Sequence, residues 1–156
     1  MSELLLPDEP LAPGAAAEAG LMAYLTAQLD ADQMGRIVFG LGPRFFAAWP
    51  KDLTDRNDFP RVTIRCLDVP VIPGVYHQVR ASLHMFAWSS GDNGRRNKLF
   101  RMDAWLLRVL NRVRWHHEGC HLEATVLSNE PVDRPGDVGG AASRTRFFRI
   151  DAALLS

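Results

Sequence analysis

The sequence predicts an α+β domain in which a mostly antiparallel sheet of about four or five strands carries two main helices on one face. Three observations lead to this fold class. Apolar residues recur at helical spacing in two segments, other segments alternate apolar and polar residues as half-buried strands do, and turn-forming residues separate them. Strands joined by short turns pair antiparallel, and helices then cover one face of the sheet.

The helices are predicted by their apolar stripes. Leucines recur every four residues within 15–31, and a stripe that includes Leu106 and Leu110 lies within 95–113. Leu106 and Leu110 are expected to be core residues, because packing supplies most of a helix's stability. In chain order we expect a helix at 15–31, a short strand at 36–40, strands at 61–68 and 76–88, a helix at 95–113, and strands at 121–127 and 143–150.

Length and composition indicate one domain in a reducing cytoplasm. The chain has 156 residues, and Pro7, Pro10 and Pro13 predict an extended arm at 1–14 before a single domain at 15–156. A hydrophobic content of 47% with zero net charge excludes a wholly disordered chain. No apolar run approaches the roughly 18 residues of a membrane-spanning helix. The acidic start does not resemble a signal peptide, and two cysteines make no disulfide framework.

One face of the strand at 76–88 has an unusual composition. Its side chains include Arg80, His84, Phe86 and Trp88. Such a face is too apolar for solvent and too charged for a core, and aromatic residues and Arg are enriched where subunits meet. We therefore expect these four residues to be exposed on the monomer and to form a subunit interface.

Charge is unevenly distributed along the chain. Residues 1–35 hold six acids and no Lys or Arg, whereas the rest holds 18 bases, 16 of them Arg, and 12 acids. The split fits either a basic body that meets nucleic acid or a subunit whose acidic and basic surfaces meet in neighbours. Four bases open the second helix, where free amides also bind phosphate, so they are candidates for contact with DNA or a partner: Arg95, Arg96, Lys98 and Arg101.

A histidine-rich segment matches a zinc-protease string. His117-Glu118-Gly119-Cys120-His121 has the His-Glu-x-x-His spacing, which binds zinc when both His lie on one face of a continuous helix. Gly119 and the alternation after His121 predict a turn and a strand instead, so we expect the segment from His116 to His121 to bind no metal. A small zinc hydrolase built on His117, Glu118 and His121 remains the weakest alternative.

Other catalytic patterns are missing from the sequence. It contains neither a Gly-x-Ser-x-Gly elbow nor a Gly-x-x-x-x-Gly-Lys phosphate loop. We therefore predict no catalytic residue, no cofactor and no enzyme activity. The segment 129–142 holds three Gly and two Pro, and we expect a loop that becomes ordered against a partner, with Arg134 and Asp137 as its contact residues.

The order of these patterns resembles the tail terminator and tail completion proteins of long-tailed phages. The features that match are a helix at 21–29 before a short Ile37-Val38-Phe39 strand, a strand that opens Pro60-Arg61-Val62-Thr63-Ile64, a long strand at 78–88 that turns into the second helix, and a last strand with Arg146-Phe147-Phe148-Arg149-Ile150.

The resemblance implies a structural role without catalysis. It implies a six-subunit ring at the head-proximal end of the tail that stops tail-tube growth and joins the head. The implied partners are further copies of the chain, the tail tube protein, a head-completion or connector protein and the genomic DNA that passes through the lumen, with no membrane. The implied location is the virion, after assembly in the host cytoplasm. The alternative function is an Arg-rich nucleic-acid-binding module, which salt-dependent binding to duplex DNA would distinguish.

Overall fold

A computed structural model describes residues 13–40, 43–47, 49, 59–88, 92–127, 131–134 and 141–155. Three helices and seven strands lie in these ranges. They are α1 (Pro13–Ala31), α2 (Gln33–Phe39), β1 (Phe45–Phe46), β2 (Arg61–Ile72), β3 (Tyr76–Ala87), α3 (Asp92–Leu110), β4 (Arg114–His117), β5 (Cys120–Val126), β6 (Val132–Arg134) and β7 (Ala142–Leu154).

The seven strands form one sheet in the order β1-β2-β3-β7-β5-β4, and β6 also pairs with β7. β1 runs parallel to β2, and all the other pairs are antiparallel, so the sheet is mixed. The α+β class and the mainly antiparallel pairing are therefore confirmed, while the sheet has more strands than the four or five predicted and three helices accompany it. β7 lies in the middle of the sheet, between β3 and β5.

Helices α1 and α3 pack on one face of the sheet and form the main core with it. The leucine stripe of α1 is buried, and Leu106 and Leu110 of α3 are fully buried as predicted. On the sheet, alternate residues such as Ile64, Leu83 and Phe148 complete this core. No helix in the described part of the chain is both long and apolar enough to cross a membrane.

The predicted short strand at 36–40 is wrong, because these residues belong to helix α2. The Asp32 side chain caps this helix by accepting a hydrogen bond from the Met34 N–H at 3.0 Å. Gly40, with φ of 83°, ends it. A run of three apolar residues is too short for its period to distinguish helix from strand, so the cap was the better signal.

Several boundaries also differ from the prediction. Pro13 and Gly14 belong to α1 rather than to the arm, since proline is well suited to the first turn of a helix, and residues 1–12 lie outside the described residues. β2 continues to Ile72 past Pro70, with an irregular register there. β1, β4 and β6 were not predicted, and α3 begins and ends about three residues earlier than expected.

Candidate assembly surface

Exposed apolar side chains concentrate at one end of the sheet. Seven of the thirteen large hydrophobic residues that are exposed in the described part of the chain lie there. We call them the apolar tip: Leu67, Val69, Val71, Ile72 and Val75 of the β2–β3 hairpin, with Leu154 and Leu155 at the end of β7. A backbone hydrogen bond from the Leu154 N–H to the Val75 carbonyl, 2.7 Å long, joins the two segments. A concentration of exposed apolar side chains is a common feature of contact sites on folded proteins.

The hairpin extends past the helix layer. β2 is buried from Arg61 to Ile64 and mostly exposed from Arg65 onward. Helix α1 begins beside Asp68, since a Cβ added to Gly14 would lie 2.3 Å from Asp68 Oδ2. Leu67 and Val69 pair with Arg80 and Gln78 on the sheet face that carries no described helix, and Ile72 and Val75 lie past the start of α1, so no described helix covers them.

Polar contacts hold the hairpin in place. The Nε2 atom of His77 accepts a hydrogen bond from the Gly74 N–H at 3.0 Å, so its Nδ1–H donates to Asp68 Oδ1 at 2.7 Å. His77 is itself buried. Gly74 adopts φ of 79°, a turn conformation that glycine adopts without strain. These contacts join the turn at Gly74 to Asp68 on the opposite strand of the hairpin through the His77 side chain.

The outer edge of β2 is open along most of its length. β1 pairs only with Val62 and Thr63, and within the described residues no strand lies beyond it. The backbone groups of an edge strand are ready to pair with another chain. Pro70 interrupts the edge, which limits uncontrolled pairing but leaves the apolar side chains exposed.

The four residues predicted to form an exposed interface do not share one exposed patch. Arg80 is exposed, but Phe86 is only 7% exposed and packs with Phe59, and Trp88 packs against the same cluster. The expectation of an exposed aromatic face is therefore wrong for Phe86, because the rings of Trp49 and Phe59 pack against it. Whether Arg80, His84 and Trp88 contact a neighbour stays a prediction.

His84 lies under the same aromatic cover. Its ring centroid is 4.5 Å from that of Trp49, and its Nδ1 lies 2.9 Å from the Thr145 hydroxyl oxygen. Burial, together with the positive charges of Arg65 and Arg134, lowers the pKa of His84 below its ordinary value. His84 is therefore a neutral residue at physiological pH.

The four bases at the start of α3 differ in their surroundings. Arg96 and Arg101 are exposed, and the Arg96 guanidinium lies 5.9 Å from the centre of the Phe100 ring. Lys98 donates to the Trp88 carbonyl at 2.9 Å, so it contacts the backbone just after the end of β3. The side chain of Arg95 lies outside what the structure describes. The predicted contact with DNA or a partner stays untested for this set.

The predicted partner loop is partly a strand. Residues 132–134 form β6, so Arg134 lies on an exposed strand rather than in an irregular loop, and Asp137 falls outside the described residues. β6 lies next to a cavity of about 290 Å³ lined by Arg96, Phe100 and Arg134 among others. The mobility of the segment, and its ordering on a partner, stay predictions.

A buried ion cluster joins α3 to β7. Asp103, which is 4% exposed, accepts from the Arg146 Nε at 2.9 Å and from the Arg144 Nη1 at 2.9 Å. Asp133 on β6 completes the cluster by pairing with Arg144. The sequence did not reveal this cluster, because Asp103 lies 41 and 43 residues from its two arginine partners along the chain. Their alternation with Thr145 was the available signal that both point to one face.

The zinc-protease string lies on a hairpin and not on a helix. Glu118 and Gly119, with φ of 50° and 78°, make a two-residue turn between β4 and β5. The Cβ of His117 lies near Gly20 of α1, on the helix side of the sheet. His121 lies on the other face, where it pairs with His116. The predicted turn and strand are confirmed, and the triad of His117, Glu118 and His121 is not assembled.

Neither cysteine is a nucleophile at neutral pH. Burial, followed by the charge of Glu18, raises the pKa of the Cys66 thiol to about 12. Burial also raises the pKa of Cys120. Both thiols stay protonated and are therefore poorly reactive.

Known proteins give no further guide to this surface. No family model matches the chain, and no curated protein matches its sequence.

Proposed function

We propose that this chain is a structural virion protein that forms a ring at the head-proximal end of a phage tail. There it ends tail-tube growth and joins the tail to the head, and it does so without catalysis or a cofactor. The observation that carries this proposal is the apolar tip beside the open edge of β2. Seven exposed apolar residues next to strand backbone that no described strand pairs with suit a protein that works in contact with other subunits.

Charge supports contacts between unlike surfaces of identical subunits. Arg65 and Arg80 are exposed on the sheet face that carries no described helix, and Glu18 and Asp30 lie on α1 across the sheet from them. Two complementary surfaces on opposite sides of a subunit favour head-to-tail contacts, which close into rings when the rotation allows. Charge pairing between neighbours also guides their association.

The number of subunits and the location follow from the resemblance to tail terminator proteins. On that basis the ring has six subunits and contacts the tail tube protein on one side and a head-completion or connector protein on the other. Genomic DNA passes through its lumen, and no membrane is involved. The protein is expected in the host cytoplasm during assembly and in the virion afterwards.

Complementation of a phage that lacks this chain tests the proposal. Without the chain, the phage should produce tails of irregular length that carry no heads. The wild-type chain should restore the assembly of complete particles. Ile72→Asp places a charge on the apolar tip and should fail to restore this assembly. Ile37→Asp is the matched control, because Ile37 on α2 is 66% exposed against 54% for Ile72 and lies away from the tip.

Two results would contradict the proposal. One is that particles without the chain have normal tails with heads attached. The other is that Ile72→Asp restores assembly as well as Ile37→Asp does. Melting curves of both purified variants show that a failed restoration comes from assembly rather than from loss of the fold.

A further inference from the structure

The geometry points to a surface site for a divalent transition-metal ion, preferably Cu²⁺ or Ni²⁺, formed by His116 on β4 and His121 on β5. The two rings face each other across the strand pair. His116 Nε2 lies 2.9 Å from His121 Nδ1, and the ring centroids are 5.0 Å apart. His116 is exposed and His121 is half-buried, so an ion reaches them from solvent.

The register of the hairpin creates this approach. The two-residue turn pairs His117 with Cys120, and the next pair is His116 with His121. Hydrogen-bonded and non-hydrogen-bonded pairs alternate in an antiparallel ladder, and the residues that flank a two-residue turn are the hydrogen-bonded kind. His116 and His121 are therefore a non-hydrogen-bonded pair, in which the side chains lie closer together.

The ligand type favours particular ions. The 2.9 Å between the two nitrogens is the length of a hydrogen bond between the rings, so both rings turn to direct their lone pairs at one ion. Imidazole nitrogen suits Ni²⁺, Cu²⁺ and Zn²⁺, and the affinity of a given site for divalent first-row ions rises to Ni²⁺ and is highest for Cu²⁺.

Charge around the pair does not oppose binding. Arg114 and Glu123 lie one pair further along the same face and form an ion pair 3.2 Å long, which nearly cancels their fields. In the described part of the chain no group of three or more metal-ligating residues forms, so the pair supplies two ligands and water or a second molecule supplies the rest.

Binding requires a change of tautomer. In the free pair one nitrogen donates its N–H to the lone pair of the other. Both lone pairs are needed for the metal, so the donating ring loses this proton to solvent and takes one up on its other nitrogen, with no net change in protons. The sequence predicted that the segment from His116 to His121 binds no metal, because a turn interrupts its zinc-protease string. The proposed site departs from that prediction, since the structure brings His116 and His121 together across the hairpin.

Calorimetric titration of the untagged full chain with Ni²⁺ at pH 7.5 tests the site. We expect one ion per chain with a Kd in the micromolar range, and at least a tenfold weaker Kd for His116→Ala and for His121→Ala. His117→Gln removes an imidazole from the other face of the same hairpin and should bind as the wild type does. The electron paramagnetic resonance spectrum of bound Cu²⁺ should show two imidazole nitrogens in the wild type and one in each alanine variant.

An unchanged Kd in both alanine variants overturns the inference, as does an equal loss of binding in His117→Gln. Melting curves without metal control for folding, and Ni²⁺ should raise the melting temperature of the wild type more than that of either alanine variant. The outcome is independent of the proposed function. A ring protein need not bind a metal ion, and a metal-binding protein need not form a ring.

Discussion

The ion cluster of α3, β6 and β7 contains two carboxylates, Asp103 and Asp133. Neutralising Asp103 is expected to lower the free energy of unfolding more than neutralising Asp133. The Asp103 side chain is 6% exposed, and so is that of Arg146, to which it makes two bonds of 2.9 and 2.5 Å. Asp103→Asn removes the charge and turns one acceptor into a donor that faces a guanidinium. Removing one partner of a buried ion pair costs about 3–5 kcal/mol. We expect about 3 kcal/mol, because Arg144 keeps its bonds to Asp133.

Asp133→Asn is the matched control for this prediction. The Asp133 side chain is 53% exposed and pairs with the same Arg144, so its neutralisation should cost less than about 1 kcal/mol. Urea denaturation followed by far-ultraviolet circular dichroism measures both losses. A loss below about 1 kcal/mol for Asp103→Asn, or equal losses for the two variants, would refute the assignment of Asp103 to a buried, charge-paired position.

Three further changes test the packing and the caps. Leu106→Ala should lower the free energy of unfolding by about 2–5 kcal/mol in chemical denaturation, because Leu106 is fully buried, and a loss under about 1 kcal/mol would place that face of α3 in solvent. Gly20→Ala should leave the protein equally stable or up to about 2 kcal/mol less stable, because the new Cβ would lie 2.5 Å from Leu122 Cδ1. The cost of this overpacking offsets a helix-propensity gain of about 1 kcal/mol. A clear gain in thermal stability would contradict this. Folding lowers the pKa of Asp32, chiefly through the hydrogen bond from Trp105, so its stabilising effect is complete above the unfolded pKa of about 4 and is lost as pH falls through the folded pKa; the stabilities of wild type and Asp32→Asn should differ at pH 6 and converge in acid, and a constant difference would exclude this linkage.

The sequence predicted elements well where a strong period extends over many residues. The stripes of α1 and α3 are periodic over several turns, so both helices and their buried leucines are found where expected. β3 alternates strictly, and its inward residues, such as Val79 and Leu83, are buried. Short elements were predicted poorly because few residues do not define a period. The seven-residue helix α2 was taken for a strand from its three consecutive apolar residues, and the three-residue strand β6 was not predicted.

The candidate sites depend on contacts that a single strand does not reveal. The apolar tip was not predicted, because the strand was expected to end at residue 68, whereas β2 continues past Pro70 to Ile72. The alternation of Leu67, Val69 and Val71 was a usable signal of this continuation. The His116–His121 pair depends on a two-residue turn that sets the register of β4 and β5. Once Glu118 and Gly119 are recognised as that turn, the pairing follows from counting residues outward.

Imaging of the assembled phage particle by electron cryo-microscopy tests the central proposal most directly. This chain should appear as one closed ring, with six subunits, at the junction of head and tail, and the apolar tip should lie in a subunit contact. Its presence in the capsid shell, in many stacked rings along the tail tube, or its complete absence from particles would contradict the proposal.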